Sequence, residues 1–369
     1  MINKITVVLS GLLTVLFLTS ISFGESKIEK RNDWEKYKIK GKVKERRIYQ
    51  YCYFDDFKTE EFFYKKFDKN GYLVEEMERY YEDTTAYENK YYYKYDDKNN
   101  LIEERLLDSK FGTEEKKVYE YDEKGLCVER QEFNPKGERQ YRFVKKYDEN
   151  GNEIEELYYN WSDTLSNITY RKYDVKGNLL DDGRGTIYKY DDKGNVIEIC
   201  DFGYEGDLLK KINYEYDNKG ILIKDCCFDA LNETCDSTKI TYNDKGQKIE
   251  SVVSIYGADG NWLYTNRLKF KYDKKGRLVT KRYSFSRSDP SYTWKYYKET
   301  FRYDRSGNIV KHRSYTVDDK TIVNGNEIEL FKYDDIGNLI EYKKKYGKYI
   351  KYLIYEAHYE YSYDISKKN

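Results

Sequence analysis

Residues 121–125 read Tyr-Asp-Glu-Lys-Gly, and this pattern recurs along most of the chain of 369 residues. Complete Tyr-Asp-x-x-Gly copies also begin at residues 147, 173, 190, 216, 272, 303 and 333. Three variants keep most of the pattern, in which Phe67 replaces Tyr, Asn99 replaces Gly and Asn243 replaces Asp. A twelfth copy begins at Tyr363, and successive copies lie 28, 26, 26, 26, 17, 26, 26, 30, 31, 30 and 30 residues apart. The chain is therefore a repeat protein.

The recurring motif has the chemistry of a β-hairpin turn. An Asp at the first position of a type I turn can accept hydrogen bonds from backbone N–H groups further round the turn. A Gly three residues later supplies the left-handed conformation that closes a hairpin through a bulge, and Asn is the best substitute there. The motif predicts a bulged turn in which Tyr faces the second residue past Gly. The third residue past Gly, aliphatic in all eleven full copies, would then point to the opposite face.

In the segments around each turn, apolar and charged residues alternate with the period of two that half-buried strands show. Lys332 separates Phe331 from Tyr333, for example, and similar pairs of aromatic residues precede most other turns. A second turn at 134–137 divides the unit, so each repeat predicts two antiparallel strands of about eight to ten residues, roughly 22 strands in all. We expect an all-β fold, an antiparallel β-hairpin repeat array in a coiled or rolled extended sheet. An open, a spiral and a closed sheet are all compatible with this pattern.

The composition disfavours several classes of protein. The 67 basic and 67 acidic side chains give a formal net charge of zero, and 45 residues are Tyr. Disordered chains have few aromatic residues, and broad nucleic-acid binding needs a basic excess. An outer-membrane barrel needs a lipid-facing band free of charge, whereas Lys, Glu and Asp lie in nearly every predicted strand. We therefore expect neither a nucleic-acid partner nor a membrane span in the mature chain.

The first 24 residues have the order of a secretory signal peptide. Lys4 precedes 19 uncharged residues, and Ser22 and Gly24 place small side chains before a cut. An uncleaved membrane anchor is the alternative interpretation. Cleavage would make the mature protein secreted, periplasmic or attached at the cell surface. The chain is thereby divided into three parts, a signal peptide (1–24), an N-terminal cap segment (25–63) and a hairpin repeat domain (64–369).

Six cysteines lie in the predicted mature chain, and an oxidising compartment would allow disulfides. Cys235 could pair with Cys226 or Cys227 across a short loop. For the three isolated cysteines, Cys52, Cys127 and Cys200, a role as small buried apolar residues is the alternative interpretation. Their spacing follows no metal-site template.

The repeat resembles that of a known family. The form Tyr-Asp-x-x-Gly-x-Leu, as in residues 272–278 and 333–339, is similar to the tyrosine–aspartate (YD) repeat of the rearrangement-hotspot (Rhs) family. The likeness covers about residues 64–364. It implies a cell-surface or secreted protein with a long spiralling β-sheet, carbohydrate binding, or a part in a toxin system. A weaker likeness is to the short hairpin repeats of MORN-variant, antitoxin-like proteins, through turns such as 147–151.

Few residues fit catalytic chemistry. His312 and His358 are the only two histidines, they lie in different repeats, and neither has the spacing of a triad or of metal ligands. Glu103 and Glu104 suggest a two-carboxylate site, but neighbours in a strand point to opposite faces. We expect no enzyme activity, no cofactor and no metal.

Binding is expected where the regular scaffold is altered. The 17-residue copy from 173 to 190 is the shortest, and its turn, which contains Arg184, should leave a notch in the sheet edge. The longer last repeats carry aromatic side chains that could stack on sugars or anchor a protein, namely Trp262, Trp294, Tyr296 and Tyr297. Filling of the apolar face of the sheet is the alternative interpretation of these rings.

These features lead to one functional expectation and two alternatives. We expect an exported, non-catalytic β-repeat scaffold with a binding or adhesive surface for a glycan, cell-wall or protein partner. The first alternative, implied by the resemblance, is an accessory or immunity component of a bacterial toxin system. The second alternative is a hydrolase built from scattered carboxylates.

Overall fold

A computed structural model describes residues 33–53, 58–82, 85–287, 295–318, 321–346 and 352–363. The expected all-β fold is confirmed, because one short helix, α1 (Asp33–Lys36), is followed by 25 strands that pair antiparallel. No helix in this part of the chain is long and apolar enough to cross a membrane. The predicted signal peptide and Trp294 lie outside the described residues.

The strands are β1 (Val43–Tyr53), β2 (Lys58–Phe67), β3 (Leu73–Glu82), β4 (Thr85–Tyr95), β5 (Leu101–Asp108), β6 (Thr113–Tyr121), β7 (Cys127–Phe133), β8 (Arg139–Tyr147), β9 (Glu153–Tyr159), β10 (Leu165–Tyr170), β11 (Lys172–Tyr173), β12 (Leu179–Asp181), β13 (Thr186–Tyr190), β14 (Val196–Phe202), β15 (Leu208–Tyr216), β16 (Leu222–Asp229), β17 (Thr234–Tyr242), β18 (Lys248–Gly257), β19 (Trp262–Tyr272), β20 (Leu278–Arg287), β21 (Lys295–Tyr303), β22 (Ile309–Asp318), β23 (Thr321–Tyr333), β24 (Leu339–Tyr346) and β25 (Tyr352–Tyr363).

The sheet closes on itself. Hairpin partners pair in chain order, and β1 pairs with β25 as well as with β2. Ile48 of β1 lies opposite Phe63 on one side and opposite Tyr359 on the other. The result is a barrel-like ring of strands, and closure covers the two edges that an open sheet would expose.

The ring contains more strands than the roughly 22 expected from two per repeat. The additional strands are β1 and β25, which meet at the seam of the ring, and β10, which continues into β11. Between β10 and β11, the N–H group of Arg171 donates to the carbonyl of Ile154 at 2.9 Å, so the two form one interrupted strand beside β9.

The predicted turn geometry is confirmed, as the copy at Tyr147 illustrates. The N–H groups of Asn150 and Asn152 each donate to the carboxylate of Asp148 at 2.9 Å, and Gly151 has a positive φ of 89°. Tyr147 lies opposite Glu153, the second residue past Gly, after a one-residue register shift. The same shift lies immediately before the aromatic residue of the turn in all eleven copies.

The hydroxyl group of the turn Tyr ties each repeat to the one before it. The Tyr147 hydroxyl donates to the carbonyl of Cys127 at 2.7 Å, and Tyr121 reaches Leu101 in the same way. Ten turns make this bond at 2.7 to 3.0 Å, always to the second residue past the preceding turn Gly or Asn. Burial raises the pKa of Tyr121 and Tyr190 to about 12, so these phenols remain protonated donors well into the alkaline range.

The segment of residues 33–43, hereafter the strap, ends at the first residue of β1 and crosses the seam. At one end, the N–H groups of Asp33 and Trp34 donate to the carbonyl of Gly71. At the other end, the N–H group of Lys40 donates to the side-chain oxygen of Asn338 at 2.6 Å. Between these ends a small core is buried, formed by Ile39, Val43, Phe67 and Leu73. The strap thereby takes the place of the turn that β25 and β1 lack, since no hairpin joins them.

The two faces of the sheet differ in chemistry. One face, here called the tyrosine face, carries side chains such as Tyr93 and Tyr342, whose pKa is raised chiefly by burial. The other, the ion-pair face, carries groups such as Glu198, which lies 2.6 Å from Lys189 and 2.8 Å from Lys211. Hydrogen bonds from these two lysines lower the pKa of Glu198 to about 2. The tyrosine face is the more desolvated of the two.

Candidate functional site

The hairpin turns lie at two opposite ends of the ring because successive strands run in opposite directions. One end, the YD rim, carries all the Tyr-Asp turns. The other end, the distal rim, carries the second turn of each repeat. In the described part of the chain, the distal rim consists of residues 109–112, 134–138, 160–164, 182–185, 203–207, 230–233 and 257–261.

Large apolar side chains project from the distal rim. Phe111, Trp161 and Leu231 are 70%, 72% and 78% exposed, and Tyr204 is fully exposed. Each stands inside its turn, on four different hairpins. Further exposed apolar side chains flank these tips at the adjoining strand ends, namely Leu165, Phe228, Trp262 and Leu263. Aligned apolar exposure of this kind marks interaction surfaces more often than isolated exposed residues do.

The local sequence explains why Trp161 is exposed at its turn. The side-chain oxygen of Asn160 accepts hydrogen bonds from the N–H groups of Ser162 and Thr164, both at 3.1 Å. Asn160 therefore closes this turn as Asp closes those of the YD rim. Because Asn160 accepts these backbone hydrogen bonds, the side chain at the second turn position, Trp161, is not needed to form the turn and projects into solvent.

The distal rim has a notch where the short repeat lies, as predicted. Strand β12 has three residues and β13 has five, and they pair only at Asp181 and Ile187. The turn at 182–185 folds back onto its neighbour, because the N–H group of Phe202 donates to the carbonyl of Gly185 at 2.8 Å. The notch therefore separates the Trp161 tip from the Tyr204 tip.

Five charged side chains form a network at the notch. The Arg184 guanidinium lies 2.9 Å from the Glu156 carboxylate, which also approaches Lys145 at 3.6 Å and Arg171 at 3.7 Å. Glu153 completes the network through ion pairs with Lys145 and Arg171. Arg184 is the most solvent-exposed member, at 61%. Arg184 lies beside the notch with one carboxylate already engaged, and a ligand role for it stays a prediction.

The aromatic residues predicted as ligand contacts do not converge. Trp262 begins β19 near the distal rim, and its indole N–H donates to the hydroxyl of Thr265 at 2.9 Å. Tyr296 and Tyr297 are neighbours in β21, so their rings point to opposite faces. The Tyr296 ring stacks against the guanidinium of Arg282 at 3.8 Å. Three aromatic residues therefore occupy three separate environments, and a ligand role for them stays a prediction.

Sequence reasoning missed the four tips of the distal rim. A signal was present, because Phe111, Trp161, Tyr204 and Leu231 each interrupt a polar or glycine-containing turn between two predicted strands. The aromatic residues of the long final repeats gave a stronger sequence signal than these four side chains.

The two histidines occupy different surroundings. His312 lies on the tyrosine face, 2.8 Å from Glu329 and 3.5 Å from Glu299. Burial alone would lower the pKa of His312, but hydrogen bonds to these carboxylates raise it to about 9. His358 lies on the ion-pair face, 3.0 Å from Glu356. They therefore do not form one site.

All six cysteines are free thiols. Cys235 pairs across the hairpin with Phe228, while Cys226 pairs with Ser237 and Cys227 with Asp236. The local disulfide considered from the sequence is therefore not formed, because the register places an aromatic residue opposite Cys235.

Two open cavities at the YD rim follow the repeat. One of about 580 Å³ lies between the turns that begin at Asp304 and Asp334, and another of about 410 Å³ lies between the turns at Asp174 and Asp191. Equivalent repeat positions line both, including an aromatic residue two places before the turn Tyr. Such recurrence indicates a groove generated by the repeat itself. Among the described residues no cluster of three potential metal ligands occurs.

The geometry defines a closed β-hairpin repeat protein with one rim fixed by the repeat and one rim tipped with apolar side chains. No protein-family model and no curated protein matches the sequence. Similar solved structures include the crystal structure of TcdB2-TccC3-TEV, with 12% identity over 80% of this chain and 19% of that chain and a TM-score of 0.33. Another is the Tc holotoxin pore of Photorhabdus luminescens, with 12% identity over 80% of this chain and 22% of that chain and a TM-score of 0.27.

A porin-like protein from Bacteroides vulgatus is also similar, with 12% identity over 53% of this chain and 94% of that chain and a TM-score of 0.30. The present chain spans about a fifth of the two toxin-complex chains. At these low TM-scores the similarities carry no argument about function. The resemblance to YD-repeat proteins stays a prediction.

Proposed function

We propose that this protein is an exported, non-catalytic β-repeat scaffold that binds a macromolecular partner through its distal rim. The observation that carries the proposal is the exposure of Phe111, Trp161, Tyr204 and Leu231 on hairpin tips of one rim. Aromatic and large aliphatic side chains are the residues that anchor partners at protein interfaces. Here a closed sheet presents them on short turns, which limits the entropy lost when a partner binds.

The non-catalytic part of the proposal rests on how the charged side chains are used. His312 is held as a cation between two carboxylates, which does not suit a general base at neutral pH. The turn Asp carboxylates, such as Asp148, accept backbone hydrogen bonds. The proposal of export rests on the sequence of residues 1–24, and N-terminal sequencing of the exported protein should find a start at Glu25.

Binding of the mature chain to envelope fractions of the producing cells tests the proposed function. The variant with Phe111→Ser, Trp161→Ser, Tyr204→Ser and Leu231→Ser should bind at least about tenfold more weakly. A control with Val175→Ser and Ile336→Ser removes exposed apolar side chains from the YD rim and should bind like the natural protein. Equal binding by the two variants, with both folded by circular dichroism, would refute the distal rim as the binding surface.

The same preparation distinguishes the classes of partner. Binding on a glycan array that Trp262→Ala abolishes would assign a carbohydrate partner, and cross-linking followed by mass spectrometry would identify a protein partner. A toxin polypeptide among the cross-linked products would favour the alternative of a toxin-system component. Substrate turnover that is lost on replacing one carboxylate would contradict the non-catalytic assignment.

A further inference from the structure

Three described turns lie on each side of the notch, and these two sets, hereafter the two halves of the rim, differ in charge. On the β5–β10 side, the three turns carry two basic and two acidic residues, namely Lys110, Lys136, Glu138 and Asp163. On the β14–β19 side, the turns 203–207, 230–233 and 257–261, hereafter the acidic half, carry four carboxylates and no basic residue, namely Glu205, Asp207, Glu233 and Asp259.

Most carboxylates of the acidic half are not used by the fold. Asp259 accepts hydrogen bonds from the backbone and side-chain amides of Asn261, at 2.9 and 2.6 Å. Glu205, Asp207 and Glu233 are exposed, and their carboxylates have no ion-pair or hydrogen-bond partner within the described ranges. Three negative charges are therefore free to meet a ligand.

The other half of the rim provides an internal contrast. There the Asp163 carboxylate lies 3.0 Å from Arg139 and 3.2 Å from Arg142. Glu138 accepts a hydrogen bond from Asn134 at 2.9 Å. Both acidic side chains on that side of the notch are thus engaged within the protein.

Apolar side chains alternate with the free charges of the acidic half. Tyr204 directly precedes Glu205, and Leu231 stands two residues before Glu233. Phe228 and Leu263, each exposed, extend the apolar surface along the adjoining strand ends. Successive turns of one rim are two strands apart, so three turns span about 20 Å. That length matches roughly 13 residues of α-helix.

We propose that the acidic half of the distal rim docks a basic, amphipathic segment of a partner protein, an inference that rests on the proposed function. Lysine or arginine side chains of the segment would pair with Glu205, Asp207 and Glu233, and its apolar side chains would cover Tyr204 and Leu231. Charge complementarity selects this occupant, because four carboxylates without a basic residue repel anionic lipid and nucleic acid.

A synthetic Leu–Lys amphipathic peptide of about 14 residues, long enough to span the three turns, serves as the probe. Fluorescence anisotropy with the mature chain should detect binding that weakens as the salt concentration rises from about 0.05 to about 0.5 M. Two matched peptides, with every Lys replaced by Glu or every Leu replaced by Ser, should bind at least about tenfold more weakly.

Three protein variants locate the interaction. The charge variant Glu205→Gln, Asp207→Asn, Glu233→Gln and the apolar variant Tyr204→Ser, Leu231→Ser should each reduce affinity for the Leu–Lys peptide by about tenfold or more. Only the charge variant should also flatten the salt dependence. The control Asp192→Asn, Val175→Ser makes similar changes on the YD rim and should bind like the natural protein.

Peptide affinity that neither variant changes would overturn this inference. Tight binding to anionic lipid vesicles that the apolar variant abolishes would also overturn it, in favour of a membrane surface. If these tests fail while the fourfold tip variant still loses envelope binding, the proposed function stands and only the partner chemistry is wrong. If the fourfold variant binds the envelope normally, the proposed function itself fails.

Discussion

The two rims of the ring are built from similar hairpin turns, yet the repeat residues fix only one of them. On the YD rim, each Asp closes its turn and each Tyr hydroxyl bonds to the preceding repeat. Neighbouring turns there also contact each other, as where Lys176 donates to the carbonyl of Asp192 at 2.8 Å and Arg277 to that of Asp304 at 3.3 Å. On the distal rim, Trp161 and other apolar tips point into solvent.

This contrast assigns different roles to residues that recur and residues that vary. The recurring Tyr, Asp and Gly are fully used in forming turns and joining repeats, so they leave little chemistry for a ligand. The distal turns vary in length and composition, and there the apolar and free acidic groups are exposed. In this fold the regular pattern describes the scaffold, and departures from it are the better guide to binding.

The largest expected effect on stability comes from the turn at the notch of the distal rim, which packs tightly against the neighbouring strands. A Cβ added at Gly183 would overlap the backbone carbonyl of Tyr170, and Gly183 also has a positive φ of 72°. Gly183→Ala should therefore lower the free energy of unfolding by about 3 kcal/mol or more. Gly206→Ala is the matched control, since Gly206 has a φ of 87° with open space around it, and it should cost only about 1–2 kcal/mol.

Urea denaturation of the two glycine variants measures this difference. Equal losses of stability would show that the turn at 182–185 is packed no more tightly than the turn that contains Gly206. They would contradict the tight packing inferred for the notch.

The next largest effect on stability comes from removing one tyrosine hydroxyl, which can be done on either rim. Tyr147→Phe removes the hydroxyl that bonds to Cys127, leaving a strand-end carbonyl without its partner, and should cost about 1 kcal/mol. Tyr204→Phe makes the same change on an exposed tip and should change stability by less than about 0.5 kcal/mol. Combining Tyr147→Phe with the distant Tyr272→Phe should give nearly additive losses. A destabilised Tyr204→Phe variant, or an unaffected Tyr147→Phe variant, would contradict the assigned roles.

How much of this architecture the sequence predicts depends on the distance between interacting residues. The turn at 147–151 is predicted down to its register, because Asp148 and Gly151 determine it locally. Closure is not predicted, since the pairing of Ile48 with Tyr359 joins segments far apart in the chain and leaves no local pattern. The candidate site is predicted only in part. The notch is predicted because one repeat is shorter than the others. The grouping of the exposed tips on one rim is not, because it depends on how the strands pair around the ring.

At high pH the protein should lose the stabilisation that the buried tyrosine hydroxyls of the YD rim provide. Burial raises the pKa of Tyr121 and Tyr190 to about 12, above the value of about 10 for Tyr in an unfolded chain. A raised folded pKa means that the stabilisation is complete below about pH 10 and is lost as the pH rises through about 12. The denaturation midpoint should fall over that interval as tyrosinate absorbance appears. In the Tyr121→Phe, Tyr190→Phe variant the fall should be smaller, and an identical fall would assign the alkaline loss to other groups.

The smallest expected effect on stability restores the distal rim to regular length. Inserting nine residues from a neighbouring repeat at 182–185 makes up the difference between the usual spacing of 26 and the short spacing of 17. The insertion replaces the turn that packs Gly183 against Tyr170 with a hairpin of regular length, so that close contact is not formed, and the free energy of unfolding should change by less than about 1 kcal/mol. The filled notch would join the two halves of the rim and cover the network around Glu156 and Arg184, so partner binding should weaken.

An insertion of equal length at 134–138, where no notch exists, is the control. If the insertion leaves partner affinity unchanged, the notch takes no part in binding, and the binding surface consists of the apolar tips alone.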